Sequence, residues 1–202
     1  TFLPDINGAV HALVMDDTLN IYMGGKFTML GGLVRQHVAK IRPDGTADSS
    51  WTMGFDAPVY ALAIDDSCYL MAGGDFNEAG GEVRNYLARI KPDGSLDSNW
   101  IYNADAPVLT LLRDQNDITW VGGAFSQLGL QSAVSLARFN PDASIDSIWF
   151  ASTNGVVYCI AEDYYQNIFI GGNFSVVNAQ PRKFVSRIEA DGSTHDWNPH
   201  IS

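Results

Sequence analysis

Three acidic turns carry the densest chemistry in the sequence: Asp44-x-Thr46-x-Asp48, Asp93-x-Ser95-x-Asp97 and Asp142-x-Ser144-x-Asp146. Oxygen ligands at alternate positions could contribute to a Ca2+ site, but an EF-hand loop is longer and closes on a bidentate acid. The other reading is an Asp or Ser side chain capping backbone amides around a tight turn. Capping is the reading adopted, and no metal ligand is assigned. A cation stands eight residues before each second aspartate, at Lys40, Arg89 and Arg138, and Arg187 stands nine before Asp196. The intervening turn folds cation toward acid. Arg89 with Asp97 and Arg138 with Asp146 are therefore expected to form charge-assisted pairs, with Lys40–Asp48 and Arg187–Asp196 as their counterparts.

Other chemistry is thinner. Acid–base or nucleophilic catalysis needs two or more groups within hydrogen-bond reach, and no recognised catalytic spacing is present. His11, His37, His195 and His200 share no register with one another. A glycosidase carboxylate pair is defined by spatial separation rather than by sequence, so a glycoside-acting enzyme ranks third among the functional readings. The expectation is a non-enzyme with no catalytic residue and no cofactor.

The elements that position these groups form a repeat. Gly-Gly-x-Phe recurs at Gly24-Gly25-Lys26-Phe27, Gly73-Gly74-Asp75-Phe76, Gly122-Gly123-Ala124-Phe125 and Gly171-Gly172-Asn173-Phe174, with starts 49 residues apart. Exposed amides of paired glycines can cradle phosphate, but no Gly-Lys-Ser/Thr follows and the word occurs four times. The glycines are read as strand ends beside a close backbone, and the phenylalanines as packing anchors. Trp51, Trp100, Trp149 and Trp197 recur in the same register, the last one residue early, and Phe2 takes that slot one period before Trp51.

Each unit reads as short strands. In the second, Val59–Ile64 and Cys68–Ala72 are apolar segments joined by a turn, Tyr86–Ile90 follows a polar loop, and Leu96–Trp100 would supply a fourth, edge strand. Period-two spacing groups Val10, Val59, Val108 and Val157 with Ala12, Ala61, Thr110 and Cys159 on one face. Leu13, Leu62, Leu111 and Ile160 take the other, so the strand is expected to be buried on both sides, with Cys159 as a small packed hydrophobe. Cys68 is likewise expected to be reduced and packed. Sheets with two apolar faces cover one another by radial stacking. The expected fold is therefore all-β: a β-propeller of four blades with about four antiparallel strands each, or a part of a larger ring. Residues 1–202 form one domain with units 2–50, 51–99, 100–148 and 149–196, and 197–202 begin a fifth unit or close the ring.

The segments Met71-Ala72-Gly73-Gly74-Asp75-Phe76 and Leu87-Ala88-Arg89-Ile90-Lys91-Pro92-Asp93-Gly94-Ser95-Leu96-Asp97 resemble the delta-sixty propeller repeats of large bacterial and phage-associated proteins. That resemblance implies blades of a non-enzymatic propeller within longer surface or secreted proteins. The last unit departs from it at His195-Asp196-Trp197.

Charge narrows the partners. Twelve Lys and Arg against 23 Asp and Glu give a formal net charge of -11, a field that repels phosphate backbones. Nucleic acid is excluded on this ground, and no apolar run approaches the roughly 20 residues of a membrane-spanning helix. An acidic, lysine-poor chain is compatible with an extracellular or surface location. The loops after Gly-Gly-x-Phe vary most between units, as expected where a repeated frame carries interactions. Leu30, Leu33, Leu128 and Leu130 are the candidate contacts with a protein partner or with other chains of an assembly. A glycan, stacked on aromatic rings, is the alternative ligand.

Overall fold

In the computed structural model, residues 5–199 are described. Phe2, His200 and the rest of residues 1–4 and 200–202 therefore lie outside the described residues. The chain divides into two compact units, Thr1–Asn103 and Ala104–Ser202, each holding two repeats. Each repeat is a three-stranded antiparallel sheet with a short two-stranded hairpin. The inner strands are Val10–Met15, Val59–Ile64, Val108–Arg113 and Val156–Glu162. The middle strands are Ile21–Gly25, Leu70–Gly74, Thr119–Gly123 and Ile168–Asn173. The outer strands are Val38–Ile41, Leu87–Ile90, Leu136–Phe139 and Val185–Ile188. The fold is all-β, built of four repeated blade units.

Two features differ from the sequence reading. The expected fourth strand contracts to a single bridge, Ile90↔Leu96 in the second repeat, with Ile41↔Ala47, Phe139↔Ile145 and Ile188↔Thr194 as its counterparts. The Asp-capped turn doubles the chain back for only that one pairing, and a second turn follows at once as Trp100 N–H bonds to the Asp97 carbonyl. Conversely, the loop after each Gly-Gly-x-Phe contains a hairpin, such as Met29–Leu30 with Leu33–Val34 or Glu78–Ala79 with Glu82–Val83.

A register shift interrupts every inner strand, between Val10 and Ala12, Val59 and Ala61, Val108 and Thr110, and Val157 and Cys159. The extra residue reverses the alternation of faces. Val59 thus shares a face with Leu62, and a Cβ built on Gly24 would sit 2.6 Å from Val59 Cγ1 and 3.3 Å from Leu62 Cγ. The grouping of Val59 with Ala61 is corrected on this ground. The bulge also explains the second glycine of the word, since a Cβ on Gly74 would run into the Pro58 carbonyl oxygen.

Within the first unit, Tyr22 of the first repeat packs with Trp51, Phe55, Val59, Leu62 and Phe76 of the second, flanked by Ala12 and Val14. Within the second unit, Trp120 and Trp149 pack with Val157, Ile160 and Phe174, flanked by Leu112. Phe27, Phe76, Phe125 and Phe174 are all buried. Cys68 is half-exposed and Cys159 exposed, both as free thiols. The expected packing of Cys159 is thus corrected, and so is that of Leu13, which is 62% exposed where Leu62 is 5% exposed.

Candidate functional site

The recurrent carboxylates are tied into the backbone of their own repeat. Asp93 Oδ1 accepts from Ser95 N–H at 2.9 Å and from its hydroxyl at 2.7 Å. Asp44 and Asp142 do the same with Thr46 and Ser144. These bonds stabilise the ionised form, so the hydroxyl and amide donors hold all three carboxyls below the ordinary range. The groups weighed as Ca2+ ligands spend this oxygen on turn closure.

The cationic slot is less uniform. Arg138 directs Nε and Nη2 to Asp146 Oδ2 at 2.9 and 2.7 Å, and Nη1 to the Ala190 carbonyl at 2.9 Å. Its guanidinium also lies 5.0 Å from the Trp149 ring centroid and 5.5 Å from that of Trp120. Arg89 lies between two acids, 3.1 Å from Asp65 and 3.4 Å from Asp97. In the first repeat Asp48 pairs instead with Arg42, at 2.7 Å, and Lys40 stands over the Tyr22 ring. In the fourth, Arg187 reaches Glu189 at 3.4 Å, not Asp196. The Lys40–Asp48 and Arg187–Asp196 pairings are corrected accordingly: a closer acid or cation on the same turn takes each partner.

Three further periodic slots escaped the sequence reading. Asn7, Asp56, Asp105 and Asn154 each accept two backbone N–H bonds from the hairpin after Gly-Gly-x-Phe; Asp56, for example, holds Asn77 and Glu78 at 2.9 Å each. Asp16, Asp65, Asp114 and Asp163 cap the inner-to-middle turns. Arg35, Arg84 and Arg182 are buried beside the hairpins, where each donates to the preceding residue's carbonyl and across to the second turn. Their 49-residue spacing was the available signal. In the third repeat Ala133 takes the arginine slot and leaves a small cavity beside Trp149, whose Nε1 is buried without a hydrogen-bond partner.

The hairpin tips are what remains free of the frame. Leu30 and Leu128 are fully buried, because the bridges Ile6↔Leu30 and Ala104↔Leu128 turn them inward. They are withdrawn as partner contacts. Leu33 is half-buried and Leu130 fully exposed, and Val34 and Val83 stand out at 65% exposure each. Under the second hairpin lies an open groove of about 480 Å3, lined by Met53, Gly80, Glu82, Lys91, Ser95 and Ser98 among others. Its one carboxylate, Glu82, accepts from the Ser98 hydroxyl and from Arg84. No group of three or more His, Cys, Asp or Glu residues suited to a metal occurs among the described residues.

The model of the family described as "Domain of unknown function (DUF5122) beta-propeller" matches residues 20–50, 70–99, 120–147 and 167–194, more than half of the chain. The chain belongs to this family. The four matched DUF5122 segments each run from the middle strand to the acidic turn, and they leave out every inner strand. No curated protein matches the sequence. Among solved structures, this DUF5122 chain is similar to U3-55K, at 11% identity and TM-score 0.60, over 98% of its own length and 55% of that chain. It is also similar to a streptogramin B lyase, at 13% identity and TM-score 0.52, over 99% and 58%. A third likeness is to the extracellular domain of the hybrid two component system BT3049 from B. thetaiotaomicron, at 14% and 0.53, over 93% and 23%. At these identities the likeness shows the fold. The chain spans a little over half the length of the first two. No helix among the described residues is long and apolar enough to cross a membrane.

Proposed function

We propose that this DUF5122 chain is a non-enzymatic protein-interaction or structural module, whose hairpin tips are the contact surface for a protein partner. One contrast carries the reading: the recurrent ionisable groups are engaged in turn caps and ion pairs, while the exposed tips vary between repeats and present Met29, Val34, Val83 and Leu130. Reactive chemistry would call for convergent, unengaged groups in a concave site. The groove under the second hairpin offers one carboxylate that already accepts two bonds. We further propose that the repeats are of the delta-sixty type, in a larger secreted, surface or phage-associated protein.

A carbohydrate-binding reading is second. Tyr164 and Tyr165 support it, since both rings are exposed on the fourth repeat's turn beside Asp163 and Asn167. The test uses wild type, Val34→Glu/Val83→Glu and Tyr164→Ala/Tyr165→Ala on a glycan array and in affinity capture from its source organism's extract. Protein species held by wild type and by the tyrosine variant, and lost with the valine variant, support the proposal. Glycan binding lost only with the tyrosine variant refutes it in favour of sugar.

A further inference from the structure

The buried arginine beside the hairpin comes with a recurring set of acceptors. Arg84 donates Nη1 to the Val83 carbonyl at 2.7 Å, and Nη2 to the Ser98 carbonyl at 3.4 Å and to Glu82 Oε2 at 3.2 Å. Arg182 does the same with the Pro181 and His195 carbonyls and with Gln180 Oε1, at 2.9, 3.1 and 3.1 Å. Arg35 uses the carbonyls of Val34 and Asp48. The third repeat keeps the acceptors and changes only the donor: Gln131 and the carbonyls of Ser132, Asp146 and Ser147 stand at the corresponding positions, and Ala133 replaces the arginine. The cavity this leaves, walled by Gln131, Ser132, Ala133, Asp146, Trp149 and Phe150 among others, has about 20 Å3 of free space. That volume suits one side-chain tip and lies far below the roughly 300 Å3 of the smallest small-molecule pockets. Ser132 and Phe150 are exposed, so the cavity opens to solvent. Its rim is apolar as well. Leu130, Ile148 and Phe150 are 101%, 95% and 58% exposed, at positions held by Gly32, Ser50 and Thr52 in the first repeat and by Gly81, Asn99 and Ile101 in the second.

We propose, on the protein-partner reading above, that this cavity is a docking socket for an arginine side chain of that partner, with Leu130, Ile148 and Phe150 receiving the apolar residues that flank it. The sister repeats set the occupant: the same acceptors hold a guanidinium in each of the other three. A planar fork of donors meets two or three such acceptors at once, whereas a lysine ammonium meets them as a point charge. A second cation close to Arg138 is tolerated by this frame, because the second repeat holds Arg84 together with Arg89 and the fourth holds Arg182 together with Arg187. Arg138 itself is committed to Asp146 and to the Ala190 carbonyl. The net charge of -11 draws a basic segment toward the surface, an attraction that added salt weakens. A polar socket ringed by exposed apolar side chains is also the setting in which an arginine anchors a protein interface. Arg35, Arg84 and Arg182 fill the position from within their own repeats, and the third repeat takes its arginine from outside.

The 202-residue chain is titrated with acetyl-Leu-Arg-Leu-amide and with its citrulline counterpart, which keeps the shape of the side chain and lacks its charge. The reporter is the NMR signal of the Trp149 indole N–H, buried with no hydrogen-bond partner among the described residues and assigned by its loss in Trp149→Phe. The arginine peptide is expected to shift this signal saturably and to bind at least about tenfold more tightly than the citrulline peptide, the difference that hydrogen bonds from a charged donor supply. Ala133→Arg places a guanidinium in the socket from within, as Arg84 does, and is expected to abolish the shift while keeping the strand spectrum. Should that variant misfold, Gln131→Ala, which removes one acceptor, is expected to weaken binding of the arginine peptide. No saturable shift with the arginine peptide, equal binding of the citrulline peptide, or undiminished binding by the folded variant overturns the proposal. The peptide stands in for the partner, so these outcomes are separate from capture out of an extract: protein species that Val34→Glu/Val83→Glu loses and Ala133→Arg still holds would refute the socket and leave the hairpin-tip reading standing.

Discussion

Replacing Arg138 by Met tests how much the cationic slot contributes to the frame. The Arg138 and Asp146 side chains are 14% and 9% exposed, so the pair is close to the buried limit. Removing one member of a buried pair typically costs about 3 to 5 kcal/mol, because the other charge stays behind without compensation. Two features of this site set the value toward the lower end. Asp146 retains backbone N–H bonds from Ile148 at 3.2 Å and Trp149 at 3.1 Å, and methionine preserves most of the packing on the two indole rings. Against this, the Ala190 carbonyl loses its Nη1 donor and the cation–π contacts are lost. The expected destabilisation is about 3 kcal/mol, which for a chain of this length lowers the melting temperature by about 6 to 12 °C. Urea unfolding followed by tryptophan emission reads the event directly, since Trp120 and Trp149 flank the guanidinium. Arg138→Met/Asp146→Asn completes a cycle, in which the double variant is expected to lose less than the sum of the two single ones. A loss below about 1 kcal/mol for Arg138→Met would place the pair with solvent-exposed bridges and refute the reasoning.

Gly74→Ala is expected to cost about 2 to 3 kcal/mol as overpacking against the Pro58 carbonyl. Gly81→Ala, with a φ of +82° but open space around its Cβ, is expected to cost about 1 kcal/mol; equal losses in urea titrations would contradict the bulge as the reason for the second glycine. Ala143 holds a φ of +63° where Gly45, Gly94 and Gly192 stand in the other repeats. Ala143→Gly is therefore expected to gain up to about 1 kcal/mol, and a loss would show that its turn is unstrained. At Asp16, Asp48, Asp105 and Asp146 burial raises the carboxyl pKa, but hydrogen bonds outweigh it, joined at Asp48 and Asp146 by the arginine's charge, so all four lie below their ordinary value. A depressed folded-state pKa stabilises above the unfolded pKa and ceases to do so as pH falls through the folded one. Stability is thus expected to be level above about pH 5 and to drop steeply below about pH 4, and a melting temperature that rises on acidification would contradict the capping role.

The sequence made the frame legible where residue identity repeats, and hid it where only conformation does. Gly-Gly-x-Phe and the acidic turns keep their letters, so the blade units could be counted from spacing alone. His37, Tyr86, Ser135 and Phe184 share a φ between +64° and +67° with no chemistry in common, as do Leu19, Cys68, Asp117 and Gln166 between +60° and +65°. Their left-handed turns are imposed by the surrounding strands and leave no compositional trace. The bulge after Val59 was hidden for a related reason: an inserted residue leaves the apolar pattern readable but reverses which face it describes, so period-two spacing groups Val59 with Ala61 where the structure groups it with Leu62. The arginines at 35, 84 and 182 were legible in principle, and the alanine at 133 broke their period.

That division bears on function. A residue that recurs at 49-residue spacing and closes its own hydrogen bonds is accounted for by the frame, so selection for a partner has to act at positions the frame leaves free. At the hairpin tips the buried slot stays small or aliphatic, through Leu30, Ala79, Leu128 and Val177, because each forms an inward bridge with the start of its repeat. Two positions after it, the exposed residues Gly32, Gly81, Leu130 and Ala179 make no such bridge, although Gly32, Gly81 and Ala179 hold a positive φ. Position 34 of the unit changes from Val34 and Val83 to Ser132 and Pro181 at no visible cost to the hairpin. Substitutions there alter the surface while leaving every cap, ion pair and glycine contact intact. Recognition that depends on these tips is thereby separable from stability: Val34→Glu/Val83→Glu is expected to unfold within about 0.5 kcal/mol of wild type in urea. A larger loss would mean that the two valines belong to the frame, and the contact surface would have to be sought elsewhere.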